Sequence, residues 1–326
     1  MFELRAHEQE FFERELASFV PDRLFDAHTH LSHPGFFPTE LEGLPEIIDT
    51  DEHCRYIDYL HPGRQYSALF IAFTYQADQI AEANEFTARN ITDRQNFRGL
   101  FFVKPDDDPE WVRQEVRRLG LHGLKCYHTF APGETTWNAD IPDYLPEGLV
   151  KVADEQGWPI TLHLVKDRAV ADPGNIHWIH HYCQNYPNMK LILAHSARGF
   201  QPTHNLEGLP QLADLDNLYF DTSANCEPLA HVAIIRSFGH EKLMYGSDGL
   251  LASHMRGRTV ATADTFLWLE EDQPIWNADY MEIKPVLYGL EHLRSIKWAC
   301  YALQLSDVAV EDIFWNNAAQ LFGLEG

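Results

Sequence analysis

The chain has 326 residues, a length that fits two ordinary domains or one α/β barrel. Hydrophobic residues make up 45% of it, enough for a large core, which excludes a disordered chain. Its 49 acidic and 25 basic residues give a net charge of −24, which argues against binding to nucleic acid or to anionic membranes.

Eight short apolar runs bounded by turn residues predict β-strands that begin near positions 24, 67, 98, 123, 160, 190, 218 and 242. Helix-like stretches separate most of them, at 78–90, 108–119, 147–156, 176–185 and 230–238, and another covers roughly 4–19. Short buried strands that alternate with helices are typical of a parallel sheet with helical crossovers. A doubly wound sheet shares this alternation, but eight units favour an α/β protein of the (β/α)8 TIM-barrel type. We expect one such domain over residues 1–326.

The segment after the eighth strand, from about 250 to 285, is long for a connection between a strand and a helix. It is rich in aromatic residues, among them Phe266 and Trp268. We expect a long helical insertion here, packed over the mouth of the barrel or against a second copy of the chain.

Polar side chains follow five of the eight predicted strands. The first strand ends in His28-Thr29-His30, and on an extended chain these two imidazoles point the same way. The later strands supply Lys125 and His128, then His163, His195 and Asp248. Active sites of such barrels lie where the strands end, so these groups are expected to converge on one mouth. Neutral imidazoles with a carboxylate suit zinc, with three or four protein ligands and one open position.

Six segments together resemble a known family. They are Phe25–His30 (FDAHTH), Gly123–Lys125 (GLK), Leu162-His163, Leu193–His195 (LAH), Tyr245–Asp248 (YGSD) and Asn317–Leu324 (NAAQLFGL). In this order and spacing they resemble the amidohydrolase superfamily, specifically its amidohydrolase-related branch, which includes decarboxylases and lactonases. The resemblance implies a metal-dependent TIM-barrel enzyme and leaves the substrate open.

Transferred residue by residue, the resemblance implies that the metal ligands are His28, His30, His163 and Asp248. His195 then faces the reacting bond. Lys125 lies where some two-metal relatives carry a carboxylated lysine that bridges their ions. In this branch the lysine is often present without a bridging role, so we expect one divalent ion, Zn²⁺ or alternatively Mn²⁺.

These residues predict a metal-dependent hydrolase that cleaves a C–O or C–N bond, in a lactone, ester or amide of a small carboxylated substrate. Asp248 would take a proton from the attacking water, and His195 would polarise the carbonyl group. The same residues suit non-oxidative decarboxylation, which is the main alternative. A metal-free lactonase and a non-catalytic barrel are weaker alternatives, because every expected ligand is present.

Residues near the mouth are candidates for binding the substrate. They are Arg198, Arg256, Arg258, His33 and His128. A guanidinium group suits a substrate carboxylate because it can donate two parallel hydrogen bonds to it. The competing interpretation is that the arginines pair with the many acidic residues of this chain.

Five scattered cysteines without a CxxC pair predict a reducing compartment. No run approaches roughly 18 apolar residues, and the first residues lack the layout of a signal peptide, so we expect a cytoplasmic protein without a membrane partner. The expected partners are a small-molecule substrate and further copies of this chain, in a homodimer or a higher homo-oligomer.

Overall fold

Eight parallel strands form the centre of the protein in the computed structural model, which describes residues 3–37, 44–277 and 284–324. They are β1 (Arg23–Leu31), β2 (Gln65–Ala72), β3 (Arg98–Gly99 and Phe101–Val103), β4 (Leu124–Cys126), β5 (Pro159–Leu162), β6 (Lys190–Leu193), β7 (Leu218–Asp221) and β8 (Leu243–Met244). Each lies at one of the eight predicted runs, so the predicted strand series is confirmed.

The eight strands close into a barrel in chain order. β3 is interrupted at Leu100, but the N–H of Leu100 still donates to the carbonyl of Phe70, at 3.1 Å, so the pairing continues across the gap. The circle closes where the N–H of Ala27 donates to the carbonyl of Tyr245, just after β8, at 2.8 Å. The predicted α/β fold with a parallel barrel is confirmed.

Helices surround the barrel. They are α1 (Ala6–Phe11), α2 (Thr50–Ile57), α3 (Ile80–Ile91), α4 (Pro109–Leu119), α5 (Ile141–Tyr144), α6 (Glu147–Gln156), α7 (Pro173–Asn185), α8 (Pro202–Gly208), α9 (Pro228–Phe238), α10 (Leu250–Ser253), α11 (Tyr288–Ala302), α12 (Asp307–Glu311) and α13 (Asn317–Phe322). The local sequence sets their ends, as in α4. Asp108 accepts a hydrogen bond from the N–H of Trp111 at 2.8 Å, and Gly120 ends the helix with φ 64°.

The core has two layers. The inner layer fills the barrel with Phe25, Ala27, Leu69, Ile71, Leu100, Ile192 and Met244, and helix residues such as Trp315 and Phe322 pack against it. The outer layer lies between the barrel and the helices, and it is the larger of the two. A barrel filled in this way is a rigid support for residues at its mouth.

The segment after β8 differs from the predicted helical insertion. It begins with the short α10 and continues as an antiparallel hairpin of β9 (Gly257–Thr262) and β10 (Thr265–Glu270). Threonine, valine and aromatic residues favour strands, and Ala263 makes the tight turn with φ 48°. A Cβ atom on Gly257 would lie 1.8 Å from the carbonyl oxygen of Leu269, so only glycine fits where the strands approach.

Two further observations concern membrane-spanning helices and the state of the cysteines. Within the described residues, no helix has the length and apolar character needed to cross a membrane. All five cysteines are free thiols, and four of them are buried.

Candidate metal centre

A β-bulge in β1 directs both of its histidines to the barrel mouth. Between Asp26 and Thr29, β1 has one residue more than the paired segment of β2. Side chains alternate between the two faces of a strand, so an extra residue shifts which positions face inward. His28 and His30 therefore line the mouth, although Ala27 also faces the interior of the barrel.

The residues at the strand ends converge as predicted. Donor atoms of His28, His195 and Asp248 all lie within 4.8 Å of one another. The Nε2 atom of His30 lies 3.3 Å from Oδ1 of Asp248. The Nδ1 atom of His163 lies 3.2 Å from Nε2 of His195.

The chemistry of these donors fits a divalent cation. The Nε2 atom of His163 is buried and has no hydrogen-bond partner among the residues that the structure describes. A buried polar atom without a hydrogen-bond partner destabilises the folded protein, and a bound ligand at this nitrogen would remove that penalty. Imidazole nitrogens with one carboxylate are a ligand set that zinc and similar ions prefer.

Three of the histidines are oriented by acceptors on the far side of their rings. His28 Nδ1 lies 2.9 Å from Oδ2 of Asp221, His30 Nδ1 lies 3.3 Å from the carbonyl of Ile71, and His195 Nδ1 lies 3.1 Å from the carbonyl of Ser223. An oxygen acceptor holds the ring proton on Nδ1, which leaves the lone pair on Nε2. All three Nε2 atoms are thus prepared to bind a cation.

Asp221 is a site residue that the sequence analysis missed. It lies at the end of β7, fully buried, and its Oδ1 accepts hydrogen bonds from the N–H groups of His195 and Ser223, both at 3.0 Å. Burial raises the pKa of a carboxyl group, but the rings of His28 and His195 and the hydroxyl group of Ser223 outweigh it, so the pKa of Asp221 is lowered. The signal was available, because Asp221 follows a buried strand like the other site residues.

Burial disfavours the charged form of three basic groups of the centre, His163, His195 and Lys125. Burial lowers the pKa of His195 to about 4 and also lowers the pKa of His163, so both rings are neutral at pH 7. Lys125 is buried with Nζ 3.4 Å from His28 Nε2, and burial lowers the pKa of this ammonium group. Neutral imidazole is the form that binds metals.

His195 and Arg198 project from one left-handed turn that directly follows β6. The four residues from His195 to Arg198 have φ values of 57°, 53°, 58° and 55°. Each such residue costs about 1–2 kcal/mol when it is not glycine, so the surroundings must hold the turn in place. Asn205 does so in part, since its Nδ2 donates to the carbonyl of Ser196 at 2.8 Å.

The donor atoms open into a cavity of about 260 Å³. Its other lining residues are Phe73, Tyr75, Lys125, Tyr127, Trp137, Arg198, Phe200, Ala224, Phe266 and Trp268. Within the described part of the chain, Arg198 is the one arginine on this wall. Its guanidinium carbon lies 5.2 Å from the centroid of the Trp137 ring, and its Nη1 donates to the carbonyl of Lys166 at 2.7 Å.

The other two arginines proposed for substrate binding do not line this cavity. Arg256 forms an ion pair with the fully buried Glu8, with 2.8 Å between Nε and Oε1. Arg258 donates to the carbonyl of Cys226 at 3.0 Å and lies 3.6 Å from the carboxylate of Glu227. The competing interpretation was therefore right for both, because acidic residues of this chain bind them.

The two histidines proposed for substrate binding also lie off the cavity wall. His33 accepts a hydrogen bond from the N–H of Gly35 at 3.4 Å, and its ring packs against Phe36. His128 lies behind the wall, where its ring contacts Trp137 with 4.2 Å between centroids. His128 therefore contacts a lining residue and is not itself part of the cavity wall.

Four further histidines are buried between the barrel and its helices. They are His53, His61, His231 and His292, called the interlayer histidines below. Three of them hydrogen-bond hydroxyl groups, His53 with Tyr66 at 2.7 Å, His61 with Tyr245 at 2.7 Å and His231 with Ser196 at 2.9 Å. Burial lowers the pKa of all four, to about 3 or 4, so they are neutral at pH 7.

Comparison with known proteins agrees with this architecture. Residues 25–324 match the model of a protein family described as amidohydrolase. No curated protein matches the chain.

Solved structures are similar over nearly the whole chain. An amidohydrolase from Burkholderia multivorans with bound zinc is 14% identical, with 93% of this chain and 99% of that chain covered and a TM-score of 0.59. A mutant of a 5-carboxyvanillate decarboxylase from Novosphingobium aromaticivorans, with bound manganese, is 12% identical, with 92% and 97% covered and a TM-score of 0.59. A probable 2-pyrone-4,6-dicarboxylic acid hydrolase from Acinetobacter baumannii is 14% identical, with 92% and 99% covered and a TM-score of 0.56. At these identities the likeness shows the fold.

Proposed function

The chain belongs to the amidohydrolase family, and from this premise we propose that it is a metal-dependent hydrolase. Its reaction is the cleavage of a C–O or C–N bond in a lactone, ester or amide of a small carboxylated substrate. The observation that carries the proposal is the buried group of His28, His195 and Asp248, with His30 and His163 in contact with it.

We assign one ion to His28, His30, His163 and Asp248, with Zn²⁺ as the first candidate and Mn²⁺ as the second. Structures with the same fold hold zinc or manganese, which supports this choice. A divalent ion supplies Lewis acidity, which polarises a substrate oxygen and lowers the pKa of a water molecule.

The residues of the chain provide the proton transfers. Asp248 lies among the imidazoles and is the group assigned to accept a proton from water. His195 holds its ring proton on Nδ1, toward the carbonyl of Ser223, so its Nε2 must first accept a proton before it can donate one. His195 therefore serves as a proton shuttle, and it polarises a carbonyl oxygen only in its protonated form.

Arg198 is the group assigned to the substrate carboxylate. It lines the cavity, and Trp137 and the Lys166 carbonyl fix the plane of its guanidinium group. Because one N–H is used by Lys166, the remaining donors are left to bind an anion.

The aromatic lining of the cavity favours a second candidate, non-oxidative decarboxylation. A carboxylate enclosed by rings loses much of its hydration, which favours cleavage of its C–C bond. Carbon dioxide leaves uncharged, and the electron pair that stays on the carbon takes up a proton from an acid of the site. The two candidates use the same residues and differ in whether water enters the product.

Metal content per chain is the first measurement, made on protein purified without added metal or chelator. We expect about one ion per chain in the wild type and in His33→Ala, and loss of the ion in His28→Ala. His33→Ala is the matched control, because this histidine lies close in sequence but off the cavity wall. A folded chain that takes up no metal on titration would contradict the proposal.

The reaction is then tested with lactones, esters and aromatic carboxylates in ¹⁸O-labelled water. Incorporation of the label into the product supports hydrolysis. Release of carbon dioxide without incorporation would replace hydrolysis with the second candidate. The predicted single domain over residues 1–326, the homo-oligomer and the cytoplasmic location stay predictions.

A further inference from the structure

The left-handed turn after β6 carries two groups of the proposed active site. All four residues from His195 to Arg198 have φ between 53° and 58°, and none of them is glycine. Residues three apart on a helical turn point to the same side, so His195 and Arg198 both line the cavity, whereas Ser196 does not. The orientation of both groups depends on the contacts that hold this turn, because its conformation is unfavourable by itself.

The backbone of the turn is bound from three sides. The N–H of His195 donates to Oδ1 of Asp221 at 3.0 Å, and its carbonyl accepts from Nδ2 of Asn225 at 3.3 Å. The carbonyl of Ser196 accepts from Nδ2 of Asn205 at 2.8 Å. These contacts bind main-chain atoms only, and the hydroxyl group of Ser196 has a separate partner.

That partner is His231 of α9. The Oγ atom of Ser196 lies 2.9 Å from Nδ1 of His231, and Nε2 of the same ring lies 2.9 Å from Oγ of Ser295 in α11. The single hydroxyl proton of Ser295 is used by a backbone carbonyl, since the carbonyl of Asn225 lies at 2.9 Å and that of His292 at 2.6 Å. Ser295 can therefore only accept from His231. The ring proton of His231 is thus on Nε2, and Nδ1 accepts from Ser196.

These hydrogen bonds close into a ring around the turn. Ser295 reaches the carbonyl of Asn225, and Nδ2 of Asn225 returns to the carbonyl of His195, which precedes Ser196. Ser196, Asn225 and His231 are fully buried, and Ser295 is 2% exposed. These four residues lie off the cavity wall. His231 can therefore act on the site only through the turn.

We propose that His231 is a positioning residue of this site, which holds the left-handed turn through Ser196 and so directs His195 and Arg198 into the cavity. The inference rests on the proposed function, since that function assigns the roles of His195 and Arg198. The competing interpretation is that His231 only fills space between α9 and α11. The two interpretations differ in the substitutions that they allow at this position.

The contact is tested first from the side of the turn, with Ser196→Ala. Ala197, the next residue, has φ 58°, so alanine is accepted in this conformation and the variant loses only a hydroxyl group. The readout is amide hydrogen exchange, followed by mass spectrometry on a peptide that covers residues 195–200. The N–H of Gly199 lies 3.0 Å from the carbonyl of His195 and 3.1 Å from that of Ser196, so its exchange reports opening of the turn. We expect about tenfold faster exchange there, the effect of losing one hydrogen bond, and unchanged exchange in α4.

Two substitutions at His231 then separate positioning from filling. An asparagine amide lies near the place of Nδ1 and still accepts from Ser196, whereas a glutamine amide lies near the place of Nε2 and reaches Ser295 instead. Exchange at residues 195–200 should stay close to the wild type in His231→Asn and become about tenfold faster in His231→Gln. If His231 only filled space, the larger glutamine would be the better substitute and this order would be reversed.

Kinetics of the Zn²⁺-loaded protein give a second readout, with 4-nitrophenyl acetate as the ester probe. This ester has no carboxylate, so its hydrolysis depends on His195 and not on Arg198. We expect kcat to decrease about tenfold in Ser196→Ala and His231→Gln, with KM and metal content unchanged. Ile234→Ala is the matched control. It truncates a buried core residue of the same helix, so it should lower Tm and preserve kcat.

Unchanged exchange of the turn in Ser196→Ala, or equal exchange in the two His231 variants, would overturn the inference, as would a wild-type kcat in both Ser196→Ala and His231→Gln. Failure of the proposed function is distinguishable, because it appears as a wild type without bound metal or without hydrolysis of the probe. Hydrogen exchange of the turn can then still be measured, since it requires neither.

Discussion

Replacing Asp221 with asparagine tests how the centre is prepared for a cation. One oxygen of Asp221 accepts two backbone N–H groups, and the other faces Nδ1 of His28. In Asp221→Asn the amide oxygen must stay on the backbone N–H groups, so the amide NH₂ turns toward His28. The ring of His28 then accepts at Nδ1 and carries its proton on Nε2, where the ion should bind.

The substitution thus prevents His28 from binding the ion, although the His28 side chain is still present. Loss of a partner that orients a ligand typically lowers metal affinity by 10–100-fold. We expect about 100-fold, or about 2.7 kcal/mol, because the tautomer blocks the donor atom and does not merely weaken it. The assay is competition for Zn²⁺ with a fluorescent chelator near neutral pH, with thermal melting to confirm folding.

The matched control is Asp312→Asn. Asp312 also contacts a histidine, His240, at 3.0 Å, but away from the cavity. The Asp312→Asn variant should bind Zn²⁺ with the affinity of the wild type. If Asp221→Asn retained wild-type affinity, His28 would not be a ligand through Nε2, and the assigned tautomer would be wrong.

Three further predictions concern stability. Arg256→Met leaves the buried carboxylate of Glu8 without its partner, so urea denaturation should show a loss of about 3–5 kcal/mol in the free energy of unfolding, and an unchanged value would contradict the pairing. The pKa of His231 is about 4 in the folded protein and about 6.5 in the unfolded chain. The contribution of neutral His231 to the free energy of unfolding is therefore complete above pH 6.5 and decreases as the pH drops toward 4. At pH 5 each interlayer histidine lowers the free energy of unfolding by up to about 2 kcal/mol relative to neutral pH. His231→Gln should therefore reduce the pH dependence of the midpoint of urea denaturation. Gly249→Ala places a Cβ atom 2.9 Å from the backbone nitrogen of His30, at φ 65°, so both Tm and metal content should decrease, whereas normal values for both would show that β1 can move aside.

The barrel and the position of its site could be predicted from the sequence because both depend on local patterns. Apolar runs and helix signals repeat along the chain, and the end of each run marks the mouth. His163, His195 and Asp248 were found in this way, although they are far apart in sequence.

The partners of individual side chains could not be predicted, since they depend on tertiary contacts. Nothing near Arg256 in the sequence shows that Glu8 lies beside it, about 250 residues away. The position of Asp221 at a strand end could have been recognised, but its role could not, because that role depends on contact with His28 of another strand. The hairpin was mistaken for helices because length and aromatic content were considered without the alternation and turn that mark strands.

The extra residue in β1 determines the orientation of His28 and His30 together. The strand behaves as two segments of opposite phase, and only their junction places His28 and His30 on the inner side. Removal of one residue there would turn both rings outward together, whereas a point substitution affects one ring at a time. During evolution, the insertion or deletion of one residue at this position would therefore disrupt the candidate metal centre in a single event. Related sequences that keep the HxH pair are expected to keep the number of residues between it and the start of the strand.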